Sequence, residues 1–253
     1  MSKRDKTLCI IIPIYKERLK ITEKKAIFTY IEYFLNIDIY FICSRKLETI
    51  WYEKQFSQIK FVPFDNYYFI SNKSYNNLML NTEFYKRFID YKYMIIAQTD
   101  AMIVNPSIDI NNFLQMDYDY MGAPWYYSPF SIKDGFLKYI VKRLIIHDSL
   151  KNKCGNGGFS LRKISTMIEI LESTKIYRKL VWRFNEDIFF SYICYKKKYN
   201  IAPINIAEKF SLEQNMIQQL SNGNYPLAVH AWEKVFNSYE ELKNILKTQK
   251  MTI

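Results

Sequence analysis

The apolar run Met94-Ile95-Ile96-Ala97 leads directly into Gln98-Thr99-Asp100. A buried strand that ends on a carboxylate sets charge at the mouth of an α/β sheet, where such sheets bind ligands. Alone, Asp100 also suits a helix cap or a turn, but Ala101-Met102-Ile103-Val104 continues apolar beyond it. A carboxylate bracketed by apolar runs must be paired, hydrogen-bonded or metal-bound to offset its desolvation. A hard divalent cation shared with substrate phosphates is a common solution. His230, one of two histidines, follows the strand-like run Pro226-Leu227-Ala228-Val229 and precedes Trp232. An imidazole at a strand end can join a carboxylate around Mn²⁺ or Mg²⁺, with Mn²⁺ the more tolerant of nitrogen. A purely structural histidine is the equal alternative there, and His147, inside an amphipathic stretch, reads as structural.

Asn185-Glu186-Asp187 opens the apolar stretch Ile188-Phe189-Phe190. Acids in a first helical turn suit the helix dipole, yet one of them can also face a cleft as a general base. Gly155-Asn156-Gly157-Gly158 lets backbone approach a ligand closely or adopt positive φ. Taken alone it reads as a tight turn, and it is neither a P-loop nor a dinucleotide fingerprint. Trp125 and Tyr126, after Gly122-Ala123-Pro124, offer either a platform for a sugar ring or ordinary packing. Together these segments suggest metal-assisted transfer from a phosphate-bearing donor.

The elements that must position these groups are legible in the first half. Short β-branched runs predict strands over residues 8–15, 39–43, 59–64 and 93–97. Between them, periodicity predicts helices over 22–35, capped by Thr22, over 47–56, and over 75–89, capped by Ser74. This alternation predicts a mostly parallel sheet with helices on both faces. The second half is less regular. A short helix is expected over 110–116, a strand over 119–125, and helices over 164–171, 186–197 and 239–246. The stretch from Phe136 to Ile146 reads as an apolar helix studded with Lys138, Lys142 and Arg143.

A chain of 253 residues can bury a large core, and nothing resembles a linker or repeat, so one domain is expected. The net charge of +11 enriches anions near the surface. Basic residues are spread out, and no zinc-finger, basic-zipper or RNP-like pattern occurs, so nucleic acid is not an expected partner. Cys9, Cys43, Cys154 and Cys194 show no C-x-x-C spacing and suit a reducing compartment. The run Leu8-Cys9-Ile10-Ile11-Ile12 is far shorter than the ~20 apolar residues of a spanning helix and reads as a core strand. A cytoplasmic location is expected, with peripheral contact at the inner membrane face through the Phe136 to Ile146 helix as an option.

In this order, Gln98-Thr99-Asp100-Ala101, Asp119-Tyr120-Met121-Gly122-Ala123-Pro124-Trp125, Gly155 through Arg162, Asn185-Glu186-Asp187 and Val229-His230-Ala231-Trp232 resemble a bacterial family of glycosyltransferases with the GT-A fold. That family was long described only as a domain of unknown function. The resemblance runs from Ile11-Ile12-Pro13 to Trp232. It implies a single GT-A-like, Rossmann-like domain: a nucleotide-sugar side over about 7–104, an acceptor side over about 105–235, and a C-terminal helix and tail over 236–253. Pro13, Tyr15 and Lys16, with Gln98 and Asp100, would contact the donor. Asp100 matches the last acid of the Asp-x-Asp metal motif and His230 its C-terminal histidine partner. Gly155, Asn156, Gly157 and Gly158 would flank donor and acceptor, with Trp125 beside the acceptor. Asp187, with Glu186, matches the catalytic base of inverting members. Gln98 departs from the pattern, since it stands where the first acid belongs, so contacts normally made there must weaken or come from elsewhere.

The expectation is thus an inverting glycosyltransferase assisted by Mn²⁺ or Mg²⁺. It would move a sugar from a nucleotide-sugar, UDP first among them, to a hydroxyl of a glycan or lipid-linked acceptor in cell-surface polysaccharide assembly. A sugar nucleotidyltransferase and a non-catalytic nucleotide-sugar-binding module are the rivals.

Overall fold

A computed structural model describes residues 6–127, 150–180 and 185–248. The Phe136 to Ile146 stretch and His147 lie outside the described residues. Nine strands are described: β1 (Leu8–Pro13), β2 (Asp38–Ser44), β3 (Lys60–Phe64), β4 (Tyr93–Ala97), β5 (Ala101–Ile103), β6 (Tyr120–Trp125), β7 (Lys153–Lys163), β8 (Ser211–Leu212) and β9 (Ala228–His230). Six form the main sheet in the order β3-β2-β1-β4-β7-β6. The first four are parallel, and β7 runs antiparallel between β4 and β6. The chain moves outward from β1 through β2 to β3, then returns to place β4 on the other side of β1. Their carboxyl ends therefore flank a topological switch point, which leaves a crevice there.

The apolar runs of β1 and β4 become its two central strands because they can be buried on both faces. Ile10, Ile11, Ile12, Ile95 and Ile96 have no exposed surface. The 75–89 helix of the sequence reading is broken in two, Asn72–Met79 and Thr82–Lys86. Ser71, not Ser74, caps the first by accepting from Ser74 N. Asn81 ends it by capping the second, its side chain accepting from Glu83 N. The first helix spans Ile21–Tyr33 behind Lys20, so Thr22 is not its cap.

The glycine run holds the largest correction. Residues 155–158 are not a turn but part of β7, an 11-residue strand, and none of those glycines has positive φ. The second correction is a small separate sheet, β5-β9-β8, of which only the strand-like run before His230 was read from the sequence. β9 pairs antiparallel with β5 and parallel with β8. A satellite core of Met102, Met216, Leu220, Val229, Trp232, Phe236 and Leu242 supports it. Trp232 is 2% exposed there, so it anchors the sheet and does not face a ligand.

Candidate active site

The turn after β4 is fixed from behind. The Tyr30 hydroxyl donates to the backbone carbonyls of Gln98 (2.9 Å) and Ala101, so one buried phenol clamps the turn that carries Asp100. Ala101 pairs with His230 across β5 and β9, and Ala231 N donates to Asp100 O at 2.9 Å. Neighbouring strands of the small sheet thus carry the acid and the imidazole to one end. Asp100 Oδ1 and His230 Nε2 are 3.4 Å apart. That is close to the separation of two adjacent ligands around one octahedral ion, so this pair fits a shared Mn²⁺ or Mg²⁺. Among the described residues no group of three or more His, Cys, Asp and Glu converges as a metal site. The other coordination positions would fall to substrate oxygens and water.

Electrostatics agree with the pairing. Burial alone would raise the Asp100 carboxyl, but the hydrogen bond and charge of His230 outweigh it and hold it below the usual range. Burial likewise works against a charged His230, and Asp100 and Glu213 more than compensate, raising it.

The second acidic wall is the start of the Glu186–Lys197 helix. Its two acids do different work. Glu186 is 4% exposed and faces fully buried Arg162, with Nη1–Oε2 at 2.9 Å and Nη2–Oε1 at 3.1 Å. Arg162 is held by Ser160 Oγ at 3.0 Å, Tyr85 Oη at 3.0 Å and the faces of Tyr120 and Phe190. Glu186 N donates to Asn76 Oδ1 at 2.6 Å. Glu186 is therefore spoken for: paired with Arg162, it locks the helix end onto β7. Among the described residues Asp187 has no cationic partner of that kind. It accepts from Ile188 N at 2.7 Å and from Gly157 N at 3.3 Å. Burial, then the negative charge of Glu186, pushes its carboxyl up to about 7 against those two N–H groups.

β7 joins the two walls, which explains its glycines. A Cβ at Gly157 would lie 2.7 Å from Glu186 Oε1 and 3.0 Å from Asp187 Cβ. A Cβ at Gly158 would lie 2.2 Å from His230 Nε2. Consecutive residues of one strand therefore touch Asp187 and His230, and only glycine leaves room for both.

A cleft of about 700 Å³ opens over the switch point. Pro13, Tyr15, Lys16, Gln98, Asp100, Asn156, Gly157, Gly158, Glu186, Asp187 and His230 all line it. Lys16 is held at 2.6 Å by Glu23, which also accepts from Lys20 N at 2.8 Å. Tyr15 is 61% exposed beside it. A second cleft of about 520 Å³ is lined by Trp125, Tyr127, Glu213 and Gln214 among others. The two share Asn156, Asn185, Asp187 and Lys234. Gly155 lies outside both linings, with the Trp125 ring packed where its side chain would be. Trp125 itself is only 3% exposed and Tyr126 Oη donates to Glu208 at 2.9 Å, so packing claims both. The open aromatic face in the second cleft is Tyr127, 60% exposed. Sequence reasoning missed Tyr127, Glu213 and Lys234 as lining residues, and gave Arg162 no role. The alternation in Phe159-Ser160-Leu161-Arg162, which sets Arg162 on the Ser160 face, was the one available signal.

A family model matches residues 58–230, more than half of the chain, under the description "Protein of unknown function (DUF5672)". The chain belongs to the DUF5672 family. No curated protein matches this DUF5672 member in sequence. Among solved structures it is similar to mouse xyloside xylosyltransferase 1 in its apo form, with a TM-score of 0.54, 8% identity, and 87% of this chain and 96% of that one covered. It is also similar to the galactosyltransferase LgtC in complex with donor and acceptor sugar analogs, with a TM-score of 0.55, 10% identity and 95% of each chain covered. At these identities the likeness concerns the fold. The DUF5672 member has the GT-A fold of glycosyltransferases, as the resemblance implied.

Proposed function

We propose that this DUF5672 protein is a metal-assisted, inverting glycosyltransferase that moves a sugar from a nucleotide-sugar, UDP-linked in the first instance, to a hydroxyl of a glycan or lipid-linked acceptor. The observation that carries this reading is Asp187, a carboxyl raised to about 7 on the wall common to both clefts. The larger cleft takes the donor, with Tyr15 offering a face for the base and Lys16 and Lys20 opposing its phosphates. The smaller takes the acceptor, whose ring can lie on Tyr127. Asp187 then removes the proton from the acceptor hydroxyl as that oxygen attacks the anomeric carbon. A base near neutrality is suited to this, because it is charged enough to accept a proton and basic enough to hold it. Asp100 and His230 would hold a divalent cation, which when bound supplies positive charge against the departing diphosphate. Gly157 N keeps Asp187 oriented, and the Arg162–Glu186 pair keeps the helix end in place.

The test is a screen of nucleotide-sugars with Mn²⁺, first by thermal shift and then by product analysis. Release of nucleoside diphosphate with an inverted anomeric centre is expected. Pyrophosphate would instead indicate the nucleotidyltransferase, a retained anomer would remove the base role of Asp187, and donor binding without turnover would indicate a binding module.

A further inference from the structure

Glu213 is absent from every motif in the sequence, yet it stands against the imidazole at the centre of the site. It follows β8, whose residues Ser211 and Leu212 pair in parallel with Ala228 and Val229. The same register carried one residue further sets Glu213 beside His230, while Asp100 arrives at that end from β5 on the other side. The imidazole is therefore flanked by two carboxylates, Asp100 Oδ1 at 3.4 Å from Nε2 and Glu213 Oε1 at 3.6 Å from Nδ1. Nδ1 is buried and, among the described residues, has no hydrogen-bond partner within reach. A buried ring nitrogen without a partner is costly, and a movement of about 0.5 Å would bring Glu213 into range. Glu213 is itself restrained: its Oε2 accepts from Asn156 Nδ2, and Asn156 Oδ1 accepts from Gly158 N at 2.9 Å. Lys234 Nζ lies 3.9 Å from Oε1.

We propose that Glu213 is a positioning residue that accepts from the Nδ1–H of His230 and so leaves the Nε2 lone pair for a cation held between that nitrogen and Asp100. Without a cation, either neutral tautomer sets one ring lone pair against one of the two carboxylates, acceptor facing acceptor; a cation between Nε2 and Asp100 removes that conflict for the Nδ1–H tautomer alone. With a cation at Nε2, the contact holds the tautomer that ligates it, the role an outer carboxylate plays for a ligating histidine. Because Asn156 and Glu213 also line the second cleft, acceptor-side contacts reach the histidine through a single side chain. This inference rests on the proposed metal-binding role of Asp100 and His230 but does not need turnover to be tested.

Two measurements on the full chain decide it. Nitrogen-15 NMR at pH 9 with excess Mg²⁺ in a His147→Gln background, which leaves His230 as the sole histidine, reads the tautomer with a diamagnetic cation present. Titration with Mn²⁺ alone, followed by electron paramagnetic resonance, reads affinity. The expected result is an Nδ1–H tautomer in the parent, a shift toward Nε2–H in Glu213→Ala, and Mn²⁺ affinity weakened by about 10–100-fold. Glu213→Gln keeps an acceptor oxygen and should lose only a few-fold. An unchanged tautomer, or Mn²⁺ affinity in Glu213→Ala within about twofold of the parent, would overturn the proposal. A Glu213-dependent tautomer in a protein that binds no Mn²⁺ would uphold the positioning role and sink the metal-binding reading instead.

Discussion

Asp100 and Asp187 line one cleft, yet their surroundings push them in opposite directions. Asp100 sits at a turn beside an imidazole, with its side chain 40% exposed, and is held in the charged form. Asp187 opens a helix against a glycine strand, with a second acid next to it, and is held back from ionising until about pH 7. The helix dipole and two backbone N–H groups favour its charge, but burial and Glu186 outweigh them. Carboxyls separated in this way suit different chemistry: one that keeps its charge suits a cation, and one near neutrality suits proton exchange.

The largest test of that contrast is Asp187→Asn, which should lower turnover by about 10²–10⁴-fold while leaving donor binding in place. Calorimetry with the donor alongside a turnover assay would separate the two, and retained turnover would end the base assignment. Next is Arg162→Met, which strands Glu186 as a buried unpaired charge. It should destabilise the fold by about 3–5 kcal/mol in a denaturant titration, whereas a shift under about 1 kcal/mol would mean that the pair does not anchor the helix end. On the other wall, Asp100→Asn should weaken Mn²⁺ binding by more than about 100-fold, since it removes a ligand and not an outer partner. Affinity unchanged in that variant would place the cation elsewhere.

The pH dependence is finer but discriminates most sharply. Below about pH 7 Asp187 is protonated and cannot accept a proton, so the rate should rise about tenfold per pH unit and level off above. Stability has the reverse sign. A carboxyl raised from its ordinary 3.8 contributes fully below that value, and the contribution is lost as pH rises through about 7. Asp187→Asn should therefore melt higher than the parent at pH 8 and alike at pH 4, by about 2–4 °C for each kcal/mol relieved. Asp100, lowered by His230, contributes above 3.8 and loses that contribution as pH falls. Equal melting of Asp187→Asn and parent at both pH values would erase the contrast.

Legibility in the sequence followed the length and burial of each element. The strand read over 93–97 is β4 itself, and the run read over 8–15 contains β1, because central parallel strands are unbroken apolar runs. The glycine segment was misread because glycine is disfavoured in strands and common in turns. It is a strand because the absence of side chains is what admits Asp187 and His230. The run at β9 was read as strand-like, but β5 and β8 are three and two residues long, too short for any periodicity. With them went Glu213, whose place beside His230 depends on a register between strands that sequence spacing does not encode.

The linear chain determined its mostly parallel core and the acids and imidazole available to the cleft, because local hydrophobic pattern and residue type suffice for these, whereas the strand order that opens the switch point came from the tertiary structure. Tertiary structure alone decided which carboxyl is free, since Arg162 reaches Glu186 and not Asp187 only through the packing of β7 on the Glu186–Lys197 helix. A carboxyl's charge is set by what surrounds it in space, and those neighbours come from strands and helices far apart along the chain.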